Sequence, residues 1–500
     1  MRGARPVGAV RTMRTVRAAP VSAGAWLAAS FAASAHAASP GDPAHAQAAA
    51  HGIDAAGLPL IAGLPFAGLL LSIALFPLCA PRVWHHHYGK IAAVWALAFL
   101  APFTVQAGIH AALATVVHAA FDEYLPFIVL LCALYVVAGG IGVRGNLRGT
   151  PATNTTLLAI GTVLASVMGT TGAAMLLIRP VLRANDNRRH RAHVVVFFIF
   201  LVANAGGALT PLGDPPLFLG FLNGVTFAWT ATHLGLPLLV VSLVLLALFF
   251  AIDLRFARMP GEYRSAFADP TPDTGAIWIE GKRNIALLVV VSAAVLSSGL
   301  WRPGIGFDVL GTRVELQNAV RDIVLVAVAI VSLACTPRGV RERNAFDWMP
   351  IVEVAKLFAA IFITIAPVIA MLRAGEHGVF AWLAQSVAKP DGGPDDVMYF
   401  WVTGLLSSFL DNAPTYLVFF NIAGGDAQQL MSHGASTLTA ISAGAVFMGA
   451  NTYIGNAPNF MVRSIAQSRG VAMPGFFGYM AWSGAILLPV FAILSVLFFR

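Results

Sequence analysis

A chain of 500 residues that is 58% hydrophobic and only 11% charged has too few charges to cover its apolar segments with a solvated surface, which excludes a soluble globular protein. The formal charge of +8 is therefore read loop by loop, because basic excess in such a chain reports membrane topology and not nucleic-acid binding. Cys79, Cys132 and Cys335 all fall in apolar runs and suggest no disulfide framework.

In chain order, Arg2, Arg5, Arg11, Arg14 and Arg17 precede a modest apolar stretch that ends in Ala35-His36-Ala37. This small-x-small pattern reads as a cleavable secretory signal over 1–37, with an uncleaved start as the alternative. Residues 38–57 then form a flexible periplasmic segment. Apolar runs of membrane-spanning length follow at 58–80, 91–110, 124–143, 194–222, 234–253, 284–300, 321–335, 351–373, 437–462 and 475–499. Two further apolar segments behave differently. The first, 150–181, is flanked on both sides by arginines (Arg144 and Arg148; Arg183, Arg188, Arg189 and Arg191), so both of its ends face the cytoplasm. The second, 396–421, follows Asp391, Asp395 and Asp396 and precedes Asp426, so both ends face the periplasm. These are re-entrant hairpins from opposite sides. Under this topology 18 of the 31 Lys and Arg residues lie in cytoplasmic loops and 6 on the periplasmic side, the asymmetry expected of a multi-pass protein of the bacterial inner membrane.

Sliding the chain on itself by 242 residues lays GALTPLGDPPLF (207–218) over GANTYIGNAPNF (449–460), with six of twelve positions identical. The same offset places Gly169-Thr170-Thr171-Gly172 over Asp411-Asn412-Ala413-Pro414, the helix-breaking centres of the two hairpins. The fold class is an all-α polytopic membrane protein of about ten transmembrane helices plus two re-entrant hairpins. They form transport repeat 1 (58–253), a cytoplasmic linker (254–283) and transport repeat 2 (284–500). Five crossings per unit make the second copy inverted, the plan of secondary transporters whose broken helices meet near the bilayer midplane. A helix broken in hydrocarbon strands backbone groups at several kcal/mol each. Four breaks in matched pairs therefore point to a shared polar cavity lined by carbonyls, half-helix ends and the carboxylates of Asp214 and Asp411.

These motifs, NAGGALTPLGDPPLF (204–218), SSFLDNAPTYLVFFN (407–421) and GANTYIGNAPNFM (449–461), with GTTGAAMLLIRP (169–180) as the partner hairpin, resemble the ion transporter superfamily. That group includes NhaD-type sodium/proton antiporters, arsenite permeases, and citrate and dicarboxylate transporters, and this chain is most similar to the branch of sodium/proton antiporters and citrate transporters. The resemblance implies a homodimer with a scaffold region and a transport region that moves like an elevator. It departs from the sodium/dicarboxylate pattern, which has Ser-Asn-Thr at both hairpin tips. Here the tips read Gly169-Thr170-Thr171 and Asp411-Asn412-Ala413, and an aspartate opposes a di- or trianion.

The expected function is sodium/proton antiport, with proton- or sodium-coupled citrate or dicarboxylate transport as the alternative and arsenite permeation third. Na⁺ and H⁺ are the expected transported or coupling ions. No organic cofactor and no enzymatic activity are expected; the expected partners are a small inorganic cation or small carboxylate and the lipid bilayer. An antiporter needs a group that holds either a proton or a metal cation, and Asp411 and Asp214 are the candidates. Thr170, Thr171, Asn204 and Thr210 from the first repeat, and Asn412, Asn451, Thr452 and Asn456 from the second, would supply neutral oxygens, hard ligands suited to Na⁺. Each aspartate could instead cap the helix that follows it. The Gly140-x-Gly142-x-x-Gly145 spacing lacks the strand that would make it a dinucleotide site. His85-His86-His87 reads as an interfacial turn, and Asp122-Glu123 as a solvated turn before the third span.

Overall fold

Ten helices among the described residues are long and apolar enough to cross a membrane. The computed structural model describes residues 59–145, 147–263, 277–373, 379–390 and 392–500. The expected signal, the 38–57 segment and residues 264–276 of the linker lie outside them.

The first repeat opens with Leu64–Cys79, and after one non-helical residue the chain re-enters a helix at Pro81, running to Ala107. The apolar runs at 58–80 and 91–110 leave 81–90 as a cytoplasmic loop, with His85-His86-His87 as an interfacial turn. Proline at the first helical position is pre-organised for an α-helix and has no N–H to lose there, so the helix starts ten residues earlier than the apolar run. His85–His87 thus stand on its first turns, exposed. A second correction concerns Asp122-Glu123. Ile109–His118, a π-helical turn at Ala119–Tyr124 and Leu125–Gly139 form one rod, and the acidic pair sits within it. One of the two charges is met locally, by His118 Nδ1 at 2.8 Å from Asp122 Oδ2.

The first hairpin consists of Pro151–Met168 and Thr170–Ala184. Its open ends are tied together by Gly149 N donating to Ala184 O (2.6 Å) and by side-chain amides exchanged between Asn154 and Asn185 (2.9 and 2.8 Å). Both ends therefore lie on one side. Next comes an interrupted helix, Ala192–Leu201, a short 3₁₀ turn at Ala205–Leu209 and the half-helix Pro215–Leu222, then the long Phe227–Ala257. The second repeat runs through Lys282–Leu300, a β-hairpin (Gly306–Val309 with Thr312–Glu315), Leu316–Cys335, Met349–Arg373, the second hairpin (Asp396–Phe409 and Asn412–Ile422), a second interrupted helix (Ala435–Met448 and Ala457–Ser468) and Phe476–Phe498.

Lys282–Leu300, Leu316–Cys335 and Leu125–Gly139 pack on one another, as do Leu64–Cys79, Pro81–Ala107 and Met349–Arg373. The hairpins and interrupted helices exchange partners across the repeats. Pro215–Leu222 of the first packs on Asn412–Ile422 of the second, and Ala457–Ser468 of the second packs on Thr170–Ala184 of the first. Beside the first hairpin lies a cluster of buried charge. Arg188, whose side chain is 0% exposed, meets Asp253 Oδ1 at 2.6 Å and Glu262 Oε1 at 3.1 Å, and Asp253 also accepts from Asn154 (2.9 Å) and lies 2.8 Å from His193 Nε2. This clasp of one guanidinium between two carboxylates joins the first hairpin to two neighbouring helices, and removing Arg188 would leave two buried carboxylates without their cation.

The breaks match residue for residue at the 242 offset. Helix restarts at Thr170 and Asn412, and again at Pro215 and Ala457, each pair 242 apart. Ser166 Oγ donates to Gly206 O and Ser408 Oγ to Met448 O; Thr210 Oγ1 donates to Ser166 O and Thr452 Oγ1 to Ser408 O. The serines take up carbonyls at the interrupted helices, and the threonines take up carbonyls near the ends of the first hairpin arms. The turns are also too tight for a side chain. A Cβ on Gly213 would stand 2.1 Å from Gly207 O, and one on Gly455 would stand 2.6 Å from Gly449 O, backbone atoms that cannot move aside cheaply. We expect Gly213→Ala and Gly455→Ala each to destabilise the purified protein by more than ~2 kcal/mol in thermal or denaturant unfolding. Gly484→Ala, in a helix where a Cβ meets nothing within 4 Å, should be neutral or mildly stabilising.

Candidate functional site

The four restarts converge on one carboxylate. Asp214 precedes two prolines that begin Pro215–Leu222, so the first two helical positions there have no N–H to satisfy. Its backbone carbonyl accepts from Leu217 N (3.1 Å), as a capping residue's does, but its side chain makes no cap hydrogen bond. The carboxylate, in a residue 1% exposed, instead turns toward the hairpin tips. Thr170 Oγ1 donates to Oδ1 (3.0 Å), Asn412 Nδ2 to Oδ2 (2.5 Å) and Asn456 Nδ2 to Oδ1 (3.3 Å). Thr170 and Asn412 are the first residues of the second arms of the two hairpins, and Asn456 is the position equivalent to Asp214 in the other repeat. The tips of hairpins from both repeats thus meet on a single side chain.

None of the groups hydrogen-bonded to Asp214 is basic. A carboxylate out of water is costly unless hydrogen-bonded or paired, and here three neutral donors share that role. The Oδ1 atoms of Asn412 and Asn451 are buried and have no hydrogen-bond partner among the described residues, which leaves neutral oxygens available at two of the breaks.

Asn204 belongs to the same network. Its amide donates to Ile199 O (2.8 Å) and Asn459 Oδ1 (2.7 Å), and its Oδ1 accepts from Asn456 (3.2 Å). Thr210 and Thr452 brace the turns through their hydroxyls, as described above, and Asn451 Nδ2 donates to Ser408 Oγ (2.9 Å). Thr171 is half-buried on the first hairpin. Asp411 differs from Asp214: it is partly exposed, and its Oδ1 accepts from Ala413 N (3.1 Å), capping Asn412–Ile422.

Three residues of this region were not among the sequence candidates. Asn459, fully buried, donates to Gly449 O (2.8 Å) and Thr452 O (2.9 Å), holding the second turn to Asn204 of the first repeat. Its counterpart at the offset is Leu217, so repeat matching could not single it out. Ser166 and Ser408 could have been found, since they are identical at the same offset three residues before each hairpin tip.

Comparison with known proteins agrees with this architecture. A family described as "Putative citrate transport" matches residues 55–499. An uncharacterized transporter of Mycobacterium tuberculosis is 27% identical over 365 residues, 70% of this chain and 77% of that protein, and an uncharacterized transporter of Mycobacterium bovis matches to the same extent. A 46 kDa membrane protein of Mycobacterium leprae is 25% identical over 334 residues, 65% of this chain and 71% of its own length. With paired hairpins and interrupted helices meeting at one buried site, this multi-pass membrane chain is a transporter and belongs to the family described as "Putative citrate transport".

Proposed function

We propose that the chain is a secondary active sodium/proton antiporter of the bacterial inner membrane, in which Asp214 holds either a proton or a small hard cation. The observation that carries this reading is a buried carboxylate held by both repeats through neutral donors alone, with the unpartnered Asn412 Oδ1 on a residue that touches it. A negative site without basic residues attracts a cation, and oxygen ligands suit Na⁺ over softer metals. Proton and cation compete for the same oxygens, so loading one releases the other. Because Thr170, Asn412 and Asn456 grip the same side chain, movement of either hairpin alters the ligand set, which links occupancy to the side on which the site opens. Asp411 contributes charge near the second tip while serving mainly as a helix cap.

The family description favours a second reading, in which a carboxylate such as citrate is carried together with the cation. A di- or trianion would then need neutralisation by cations or protons on Asp214 before it could approach.

Everted vesicles separate the roles of the two aspartates. Asp214→Asn should reduce Na⁺-dependent proton movement to the level of empty vesicles while the protein still inserts; exchange at the normal rate would remove Asp214 from the coupling role. Asp411→Asn should retain exchange with a weakened dependence on Na⁺, since asparagine caps a helix about as well as aspartate. In proteoliposomes, antiport predicts no saturable uptake of labelled citrate under either a Na⁺ or a proton gradient. Robust saturable uptake abolished by Asp214→Asn would establish the carboxylate reading instead.

A further inference from the structure

An apolar crevice of about 340 Å³ lies between Leu64–Cys79, Met349–Arg373 and the second hairpin. Its floor is buried, formed by Leu70, Val368, Leu372 and Val418, whereas Ala67 and Leu71 on its lip are exposed. Pro414 and Thr415, just beyond the hairpin tip, also line it. Among the described residues Thr415 is the one lining residue with a polar side chain, and its hydroxyl donates to Asp411 O (2.9 Å).

Water is a poor occupant, because it would lack the two to four polar partners that a buried water needs. Emptiness is equally poor, since a void of this size forfeits the close contacts of all its walls. The lip continues into outward-facing leucines, Leu64, Leu75 and Leu405, all more than half exposed, on helices that cross or enter the membrane. The crevice therefore opens toward hydrocarbon. Along Leu64–Cys79 and the residue before it, the lining runs from Gly63 to Leu71, about 12 Å at 1.5 Å per residue, close to the acyl depth of one leaflet in a bilayer core of ~30 Å.

We propose that this crevice is a binding site for an acyl chain of a bilayer phospholipid, inserted between the Leu64–Cys79/Met349–Arg373 pair and the second hairpin. The bound chain packs on Pro414 and Val418, so it supports the arm that carries Asn412 to Asp214 and must be displaced or compressed if that arm shifts toward Leu70. The site is independent of which ion or carboxylate is carried.

The test uses the full-length protein in vesicles of phosphatidylethanolamine and phosphatidylglycerol containing a small fraction of phosphatidylglycerol with a diazirine on one acyl chain. After irradiation, adducts are mapped by mass spectrometry. Adducts on Leu70, Leu406 and Val418 should exceed, severalfold, those on Val289 and Ile323, which are highly exposed on other spans. Ala67→Trp should remove the excess without changing labelling at Val289. Should that variant fail to fold, Gly63→Leu serves the same purpose, since a Cβ there makes only ordinary contacts, 3.4 Å from Met371 Cε at the nearest. Labelling in the crevice no greater than at Val289, or an excess that survives filling, would overturn the proposal. So would Leu71→Cys forming a disulfide-linked dimer in the absence of crevice adducts, which would mean that a second copy covers the crevice. Transport is not the readout, so failure here leaves the antiport reading untouched.

Discussion

Hydrocarbon offers no hydrogen bonds, and every interruption of a helix inside it must bring its own partners. That constraint organises this protein. The serine and threonine hydroxyls at 166, 210, 408 and 452 close carbonyls at the interrupted helices and at the hairpin breaks, and glycines at 213 and 455 let backbone approach backbone where any Cβ would collide. Each solution occurs twice, at equivalent positions, because both repeats face the same deficit. What the breaks then leave over, a few amide oxygens and one carboxylate, is concentrated where the two hairpins touch.

The repeats are alike in how they are braced and unlike in charge. Asp214 and Asn456 occupy equivalent positions and both precede half-helices with extended backbone, at φ −143° and −152°. The asparagine donates to the aspartate, not the reverse. Likewise Asp411 stands where the first repeat has Gly169, and it caps its helix with a side chain that the glycine lacks. Symmetric framing with asymmetric chemistry places a single carboxyl group where the first and second repeats meet.

Much of this was legible in the residues. The 242 offset located all four restarts, and the converging tips follow from hairpins entering from opposite faces. The two aspartates could not be ranked, because both precede a helix and a cap is a local option for each. Only the tertiary arrangement reveals that Ala413 N engages Asp411 while Asp214 is drawn away by Thr170 and Asn412. The start of Pro81–Ala107 was hidden by polar residues at its head, which broke the apolar run without breaking the helix. The π-helical turn keeps Asp122 and Glu123 inside a rod where hydropathy alone indicated a loop. The clasp of Arg188, Asp253 and Glu262 joins residues up to 74 positions apart, and charges that read as loop and linker are in fact interior.

The pairing of Asp214 with Asn456 bears on why the two copies share one chain. A half-length ancestor assembling with itself would place identical side chains at these positions, and so could set only zero or two carboxylates at the centre. Joining the copies covalently frees each to vary alone, and an odd number of charges at the axis becomes attainable.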